Sequence, residues 1–296
     1  MVFKVSTSEV STYLTCKQRW MYAHHPSYNL EPRTLGISLS RGLVGHKALE
    51  IYYSSIHMGN LESDSRQAAQ DYLMKEAMQA MALSDGKKSL MIGSLGLILS
   101  DYFNEASYIL DQYNILGVEH LIVAPLTDEI SFAGRVDLAL EEKSGPYRGY
   151  IVPFDHKFTY NFWPEWPIKM NAQLSNYIWG YLVNGHRSRR GIINQLRYRE
   201  NAQEQFTQVE VTTNSEMRAT LIYNHRVAAE SIVELKKKPT VDVMDGVTRS
   251  VSKFNCEYCP FAELCHTELT GKDSSTMIKA SYRPNSYGYD SVLDIE

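Results

Sequence analysis

The sequence predicts an α/β protein: a central mixed β-sheet flanked by helices, preceded by a mainly helical N-terminal part. Three observations carry this. Apolar residues in the first third recur at helical steps of three and four. From Val118 onward the pattern changes to strand-like alternation. A helical stretch at 167–184 then interrupts the strands, which resume near 191.

Taken in order, Leu39, Leu43, His46, Glu50 and Tyr53 fall on one helix face, and similar patterns over 63–83 and 93–113 predict two further helices. Gly117 marks the change of register, and Val118–Val123 reads as a strand. Phe132–Leu140 reads as a second, with Val136, Leu138 and Leu140 on one face and Asp137 and Ala139 on the other. A Ser144-Gly145-Pro146 turn leads into a third, Tyr150–Lys157. After the helix at 167–184 come strands at 191–199 and 205–212, then a long helix at 214–237. The expected organisation is one domain over 1–266: a helical part (1–115), an α/β core (116–240) and a cysteine cap (241–266) packed with the region of Cys16. Residues 267–296, rich in Ser, Tyr and Asp, read as a loosely attached tail.

The composition is that of a globular protein, with 44% hydrophobic residues in 296. No run approaches the ~18 apolar residues of a membrane span, and the N-terminus lacks a signal peptide's apolar stretch, so a soluble, cytoplasmic protein with no membrane partner is expected. The net charge of −4 argues against a surface coated in positive charge, although phosphate binding needs only a local basic stripe. Candidate stripes are Arg187, Arg189, Arg190, Arg197 and Arg199, and the run Lys236–Lys238. The alternative for each is a solvated face.

The chemistry concentrates on two neighbouring strands. One carries Asp137; the next carries Asp155 and Lys157, which alternate onto the same face with the His156 carbonyl between them. Two carboxylates suit Mg²⁺ or Mn²⁺, hard cations that polarise a phosphate, and a lysine there can orient water or stabilise the pentavalent phosphate. Asp-x-Lys alone is a weak signal. Its company strengthens it: His46 on the apolar stripe of its helix, either a core histidine or a further ligand, with Glu50 one turn away. Gln173 and Tyr177 stand at i and i+4, and Tyr181 extends their face.

Together these residues resemble the PD-(D/E)XK nucleases, in the branch typified by the RecB and AddB nuclease domains. That branch has a Gly-x-x-x-His-x-x-Leu-Glu helix, a Gly-x-x-Asp strand, an Asp-or-Glu-x-Lys strand and a Gln-x-x-x-Tyr helix, matched here by Gly42/His46/Leu49/Glu50, Gly134/Asp137, Asp155/Lys157 and Gln173/Tyr177. The resemblance implies a restriction-endonuclease-like core. Asp137, Asp155 and Lys157 would be catalytic, and His46, Asp137, Asp155 and the His156 carbonyl would be ligands of Mg²⁺ or Mn²⁺. Gln173 and Tyr177 would contact DNA, and Glu119 matches a carboxylate frequent in the family.

Cys256, Cys259 and Cys265 near the C-terminus, with Cys16 in a Ser-x-x-x-x-x-Cys-x-x-Arg-Trp-x-Tyr context, are similar to the iron–sulfur form of the family. That form is found in AddB and in the CRISPR-associated adaptation exonucleases and their viral relatives. By that resemblance the four thiolates would hold a 4Fe–4S cluster tying the chain ends together. On spacing alone, Zn²⁺ on the same cysteines is equally open. The resemblance therefore implies a metal-dependent DNA exonuclease acting on single strands or free ends in recombination, repair or processing, with a protein partner in such a complex also open. A DNA-end-binding scaffold of the same fold, or a zinc-bound interaction module, are the alternatives. No Gly-x-x-x-x-Gly-Lys-Ser/Thr loop occurs, which points to a stand-alone nuclease or subunit and not a helicase fusion.

Overall fold

The computed structural model describes residues 2–34, 36–82, 85–199, 204–240 and 245–285. The chain begins with β1 (Phe3–Val5), α1 (Thr7–Thr15), α2 (Lys17–His24) and β2 (Leu30–Pro32). Long helices follow: α3 (Ile37–His57), α4 (Glu62–Ala82), α5 (Gly86–Glu105) and the short α6 (Ser107–Gln112). Next come β3 (Tyr113–Pro125), β4 (Ile130–Glu142), β5 (Ile151–Thr159), α7 (Glu165–Lys169), α8 (Ala172–Val183), β6 (Arg190–Arg197) and β7 (Phe206–Thr212). The chain continues with α9 (Ser215–Lys236), α10 (Lys253–Cys256), α11 (Ala262–Leu269), α12 (Ser275–Ser281) and β8 (Tyr282–Pro284).

Two compact units share these elements. One gathers Met1–Leu35, Val123–Ala133 and Thr220–Glu296; the other gathers Gly36–Ile122 and Gly134–Ala219. In the second unit, β4 is flanked by β3 and by antiparallel β5; β6 runs parallel to β5, and β7 antiparallel to β6. This is the mixed sheet expected from the sequence. Leu138, Leu140, Val152, Phe154, Ile192 and Leu196 from the sheet and Tyr52, Tyr53, Leu95, Tyr102 and Phe103 from α3 and α5 form one buried core. Within it the hydroxyls of Tyr53 and Tyr102 lie 2.6 Å apart, and that of Tyr52 donates to Glu62. Helix starts are set by side-chain caps: Asp85 accepts from Lys88 N ahead of α5, and Asn171 accepts from Leu174 N ahead of α8.

The first unit joins residues far apart in sequence. β1 pairs in parallel with Ile130–Phe132, and β2 pairs antiparallel with β8. Trp20 donates its indole N–H to Glu9 at 2.9 Å, and Lys236 lies 2.8 Å from the same carboxylate. Val5, Val10, Ile130, Ala229, Ile232 and Val233 are buried around them.

Several expectations shift. The helix expected over 93–113 starts earlier, breaks at Ala106, and has given way to strand by Tyr113. The reason is tertiary: the Tyr113 hydroxyl accepts from Arg190 Nη2 at 2.9 Å on β6. The helix expected over 167–184 splits at Met170–Asn171, where the Asn171 cap restarts it as α8. The segment read as a loose tail is structured as far as Asn285: α12 leads into β8, whose Tyr282 is buried on Phe261. Residues 286–296 lie outside the described residues. No helix among the described residues is long and apolar enough to cross a membrane.

His225 on α9 is buried edge-on against Phe132, and burial pushes its pKa down from 6.5 to about 4. Between those values the unfolded chain binds more protons than the folded one. Stability contributed by the neutral imidazole is therefore present above pH 6.5 and lost as pH falls toward 4. The full loss is about 3 kcal/mol at most. His225→Gln should flatten this part of the pH profile, read as the difference in urea midpoint between pH 7 and pH 4.5.

Candidate active site and cysteine cavity

The second unit brings the sequence-predicted residues together. The pairing of β4 with β5 runs from Glu141↔Ile151 to Leu138↔Phe154. Just beyond it, the His156 N–H is taken by the Asp137 carboxylate at 2.7 Å. That bond fixes Asp137 on one side of the opening. On the other, Lys157 Nζ lies 2.6 Å from Asp155 Oδ2 and 3.3 Å from Gln173 Oε1. Helix α3 supplies His46, whose Nδ1 is 3.3 Å from Asp137 Oδ2. Glu50, Glu119, Asp137 and His46 line one recess.

Electrostatics follow from this crowding. Burial works against a charged imidazole at His46, but the carboxylates of Asp137 and Asp155 outweigh it and hold its pKa above the usual histidine value. Burial would also push Asp137 up, yet His46, His156 and Lys157 hold it well below the usual carboxylate range. Asp155 goes the other way: burial and the neighbouring Asp137 raise it, against the pull of Lys157. Burial opposes the charge on Lys157, but Asp155 and Asp137 keep it protonated. Glu119 is pushed up to about 7 by burial, by Asp137 and by Glu50. Four carboxylates, of Glu50, Glu119, Asp137 and Asp155, thus gather around the His46 imidazole, and a hard cation is the natural relief of such a set. Among the described residues, however, no group of three or more His, Cys, Asp and Glu side chains is drawn together as an ion-holding set.

The His156 side chain borders the same recess, edge-on to the His46 ring at 6.5 Å. It is buried against Phe154 and Tyr53, its Nδ1 is 2.9 Å from Asn194 Nδ2, and burial lowers its pKa to about 3. Its backbone N–H is the group that bonds the Asp137 carboxylate. Tyr177 is also buried; its hydroxyl donates to the Arg135 carbonyl at 2.7 Å and accepts from Gln173 Nε2 at 2.8 Å. It holds Gln173, which in turn meets Lys157. Tyr181 lies in the core, stacked on His120.

The candidate basic stripes divide. Arg190 bridges Glu142, Glu210 and Tyr113. Lys236 pairs with Glu9, Lys237 with Glu129 and Glu234, and Lys238 with Asp245, so the lysine run is a set of ion pairs. Arg189 lies over Tyr147 and Arg197 over Phe162.

In the first unit, Cys16, Cys256, Cys259 and Cys265 all line one cavity of about 220 Å³, and none is in a disulfide. Cys16 sits where α1 meets α2; the other three come from α10, the turn after it, and α11. Burial raises the Cys259 thiol, as do the neighbouring Cys16 and Cys256.

The family model of the PD-(D/E)XK nuclease superfamily matches residues 4–266. The chain belongs to this superfamily. No curated protein matches it. Among solved structures, one described as a "Putative exonuclease" from Eubacterium rectale aligns over 90% of this chain and 92% of its own, with a TM-score of 0.50 and 10% identity. That is a likeness of fold. A second, SSO0001, aligns over 76% of this chain and 94% of its own, with a TM-score of 0.34 and 15% identity.

Two residues of this PD-(D/E)XK nuclease matter to the site in ways its sequence does not announce. Glu119 adopts a left-handed backbone, φ 49°, within β3. Such a kink costs a non-glycine residue energy and turns its side chain out of the strand's alternation, here into the recess with Asp137. Gly45 is the other. A Cβ there would meet the Phe158 ring at 2.3 Å, whereas a Cβ on Gly42 would meet open space. The Phe158 ring also packs edge-on against His46 at 5.6 Å. Gly42→Ala should therefore be neutral or raise stability by up to ~1 kcal/mol. Gly45→Ala should cost about 1–3 kcal/mol through overpacking and displace His46. Thermal unfolding of the two variants, compared with their cleavage rates, checks both.

Proposed function

We propose that this nuclease is a metal-dependent deoxyribonuclease that hydrolyses phosphodiester bonds from DNA ends, with a preference for single strands. One observation carries the reading: Asp137, Asp155, Lys157 and His46, from two strands and a helix, lie within electrostatic reach of one another in a chain of this superfamily. In it, His46, Asp137, Asp155 and the His156 carbonyl would hold Mg²⁺ or Mn²⁺, and Glu119, which lines the recess with His46 and Asp137, could join them. The bound ion supplies Lewis-acid polarisation of the phosphate and a more acidic water. Lys157, kept charged by Asp155 and oriented by Gln173, donates to the phosphoryl oxygen on which charge develops. Tyr177 fixes Gln173 from below, so its part is positioning.

We read the four cysteines as the holders of a 4Fe–4S cluster that staples residues near both ends of the chain. Supporting this, all four thiols face one cavity with Arg19 and Arg249, cations suited to a set of thiolates.

The test is cleavage of end-labelled single- and double-stranded DNA with Mg²⁺ and with Mn²⁺. Stepwise shortening from an end, faster on the single strand, is expected. No product with either metal would leave a DNA-end-binding scaffold as the better reading.

A further inference from the structure

Between the strand that carries Lys157 and the helix that carries Gln173 runs an unusual segment: Tyr160-Asn161-Phe162-Trp163-Pro164-Glu165-Trp166-Pro167-Ile168-Lys169-Met170. Trp166 is 68% exposed, Tyr160 56% and Trp163 44%. Neither tryptophan stacks on another ring among the described residues. Large apolar faces left in water at one place mark a binding surface more often than chance exposure does.

The segment is held in place. Ile168 is buried and anchors its far end. The Trp163 N–H donates to Gln195 Oε1 at 2.7 Å, and Gln195 is the β6 residue paired with Lys157. The segment is therefore tied one strand away from that lysine, about 5 Å across the sheet. Tyr160 lies 5.8 Å from Tyr198.

The charge around these rings is positive. The Arg41 guanidinium sits 3.7 Å over Tyr198, and that of Arg197 4.3 Å over Phe162. Glu165 is neutralised by Lys169 at 2.7 Å, one turn on. Arg41 is on the same helix as His46, little more than a turn away. Flat exposed rings interleaved with arginines suit one ligand chemistry above others: unpaired nucleobases on a phosphate backbone, where rings stack the bases and guanidiniums take the phosphates.

We propose that Tyr160, Trp163 and Trp166, backed by Arg41 and Arg197, form a base-stacking shelf that holds unpaired nucleotides of the strand entering the Asp137–Asp155–Lys157 opening. This rests on the phosphodiesterase reading and adds to it a structural source for selecting single strands. A duplex keeps its bases stacked internally and offers the shelf only its backbone.

The test measures binding alone, without metal, in the full chain. A fluorescein-labelled dT oligonucleotide and a duplex of equal length are titrated by anisotropy against the parent, Trp166→Ala, Tyr160→Ala and Trp166→Phe. Each alanine variant is expected to weaken dT binding about tenfold, with Trp166→Phe restoring most of the loss and duplex binding changing less than twofold. Trp fluorescence of the parent should be quenched by the dT oligonucleotide. Alanine variants that bind dT as the parent does, or that lose dT and duplex equally, would overturn the shelf. Because no cleavage is read, a parent that binds through the shelf but cuts nothing would sink only the phosphodiesterase reading.

Discussion

Asp155→Asn is expected to lower the cleavage rate by about three orders of magnitude or more, while the variant still folds and binds oligonucleotide. The shape of the side chain is kept, so the buried position is not emptied. What changes is charge. Asp155 lies 2.6 Å from Lys157 and is almost wholly buried, so it both completes the carboxylate set and sustains the lysine's proton. Its loss removes a proposed cation ligand and leaves a desolvated lysine without its nearest anion, so its pKa falls. Lys157→Met should be comparably inactive, because it removes the donor directly. Initial rates on end-labelled DNA, with circular dichroism to verify the fold, give the comparison. An Asp155→Asn protein that cuts within tenfold of the parent would remove Asp155 from the chemistry.

Cys259→Ser is expected to have the largest effect on stability, about 3 kcal/mol or more, because metal–thiolate binding energy becomes folding energy where residues distant in sequence are joined. The parent, purified without oxygen, should be brown with broad absorption near ~400 nm from thiolate-held iron, and the variant should be paler and unfold at lower temperature. The apolar contacts of this region give a floor: Tyr22, Leu30, Phe261, Leu264 and Tyr282 pack together, and Tyr22 donates to Glu268 at 2.5 Å, so the unit keeps some structure without the cluster. A colourless parent with stoichiometric zinc would replace iron in this account. A parent with neither metal, and a thermal midpoint equal to the variant's, would end it.

The sheet and long helices were legible because their signals are local. Alternation around Asp137 and around Asp155–Lys157 placed β4 and β5, and the three-and-four spacing around His46 placed α3, although the buried face of that helix runs through Val44, Ala48, Leu49 and Tyr52 and leaves Leu43 exposed. What escaped depends on partners distant in sequence. Nothing near Gly45 announces the Phe158 ring that requires it to lack a side chain. The family resemblance points to Glu119, but nothing in the strand pattern announces the left-handed backbone it adopts. Tyr177 and Tyr181 look alike in the helical pattern, yet one holds Gln173 and the other fills the core, a difference set by Arg135 and His120 opposite them. The lysine run looked like a surface stripe because its acidic partners, Glu9 and Glu129 among them, lie far back in the sequence.

The chain's weave between its two units has a temporal side. Every segment of the unit bearing Asp137, Asp155 and Lys157 has been translated by Ala219, whereas the other still lacks everything from Thr220 on. At ordinary elongation rates, that remainder takes on the order of ten seconds to appear. For the first part of that interval, until Cys256 is added, a nascent chain holds Asp137, Asp155 and Lys157 but only one of the four cysteines, Cys16. The cysteine-lined cavity can therefore be completed only after every residue of the other unit has been made.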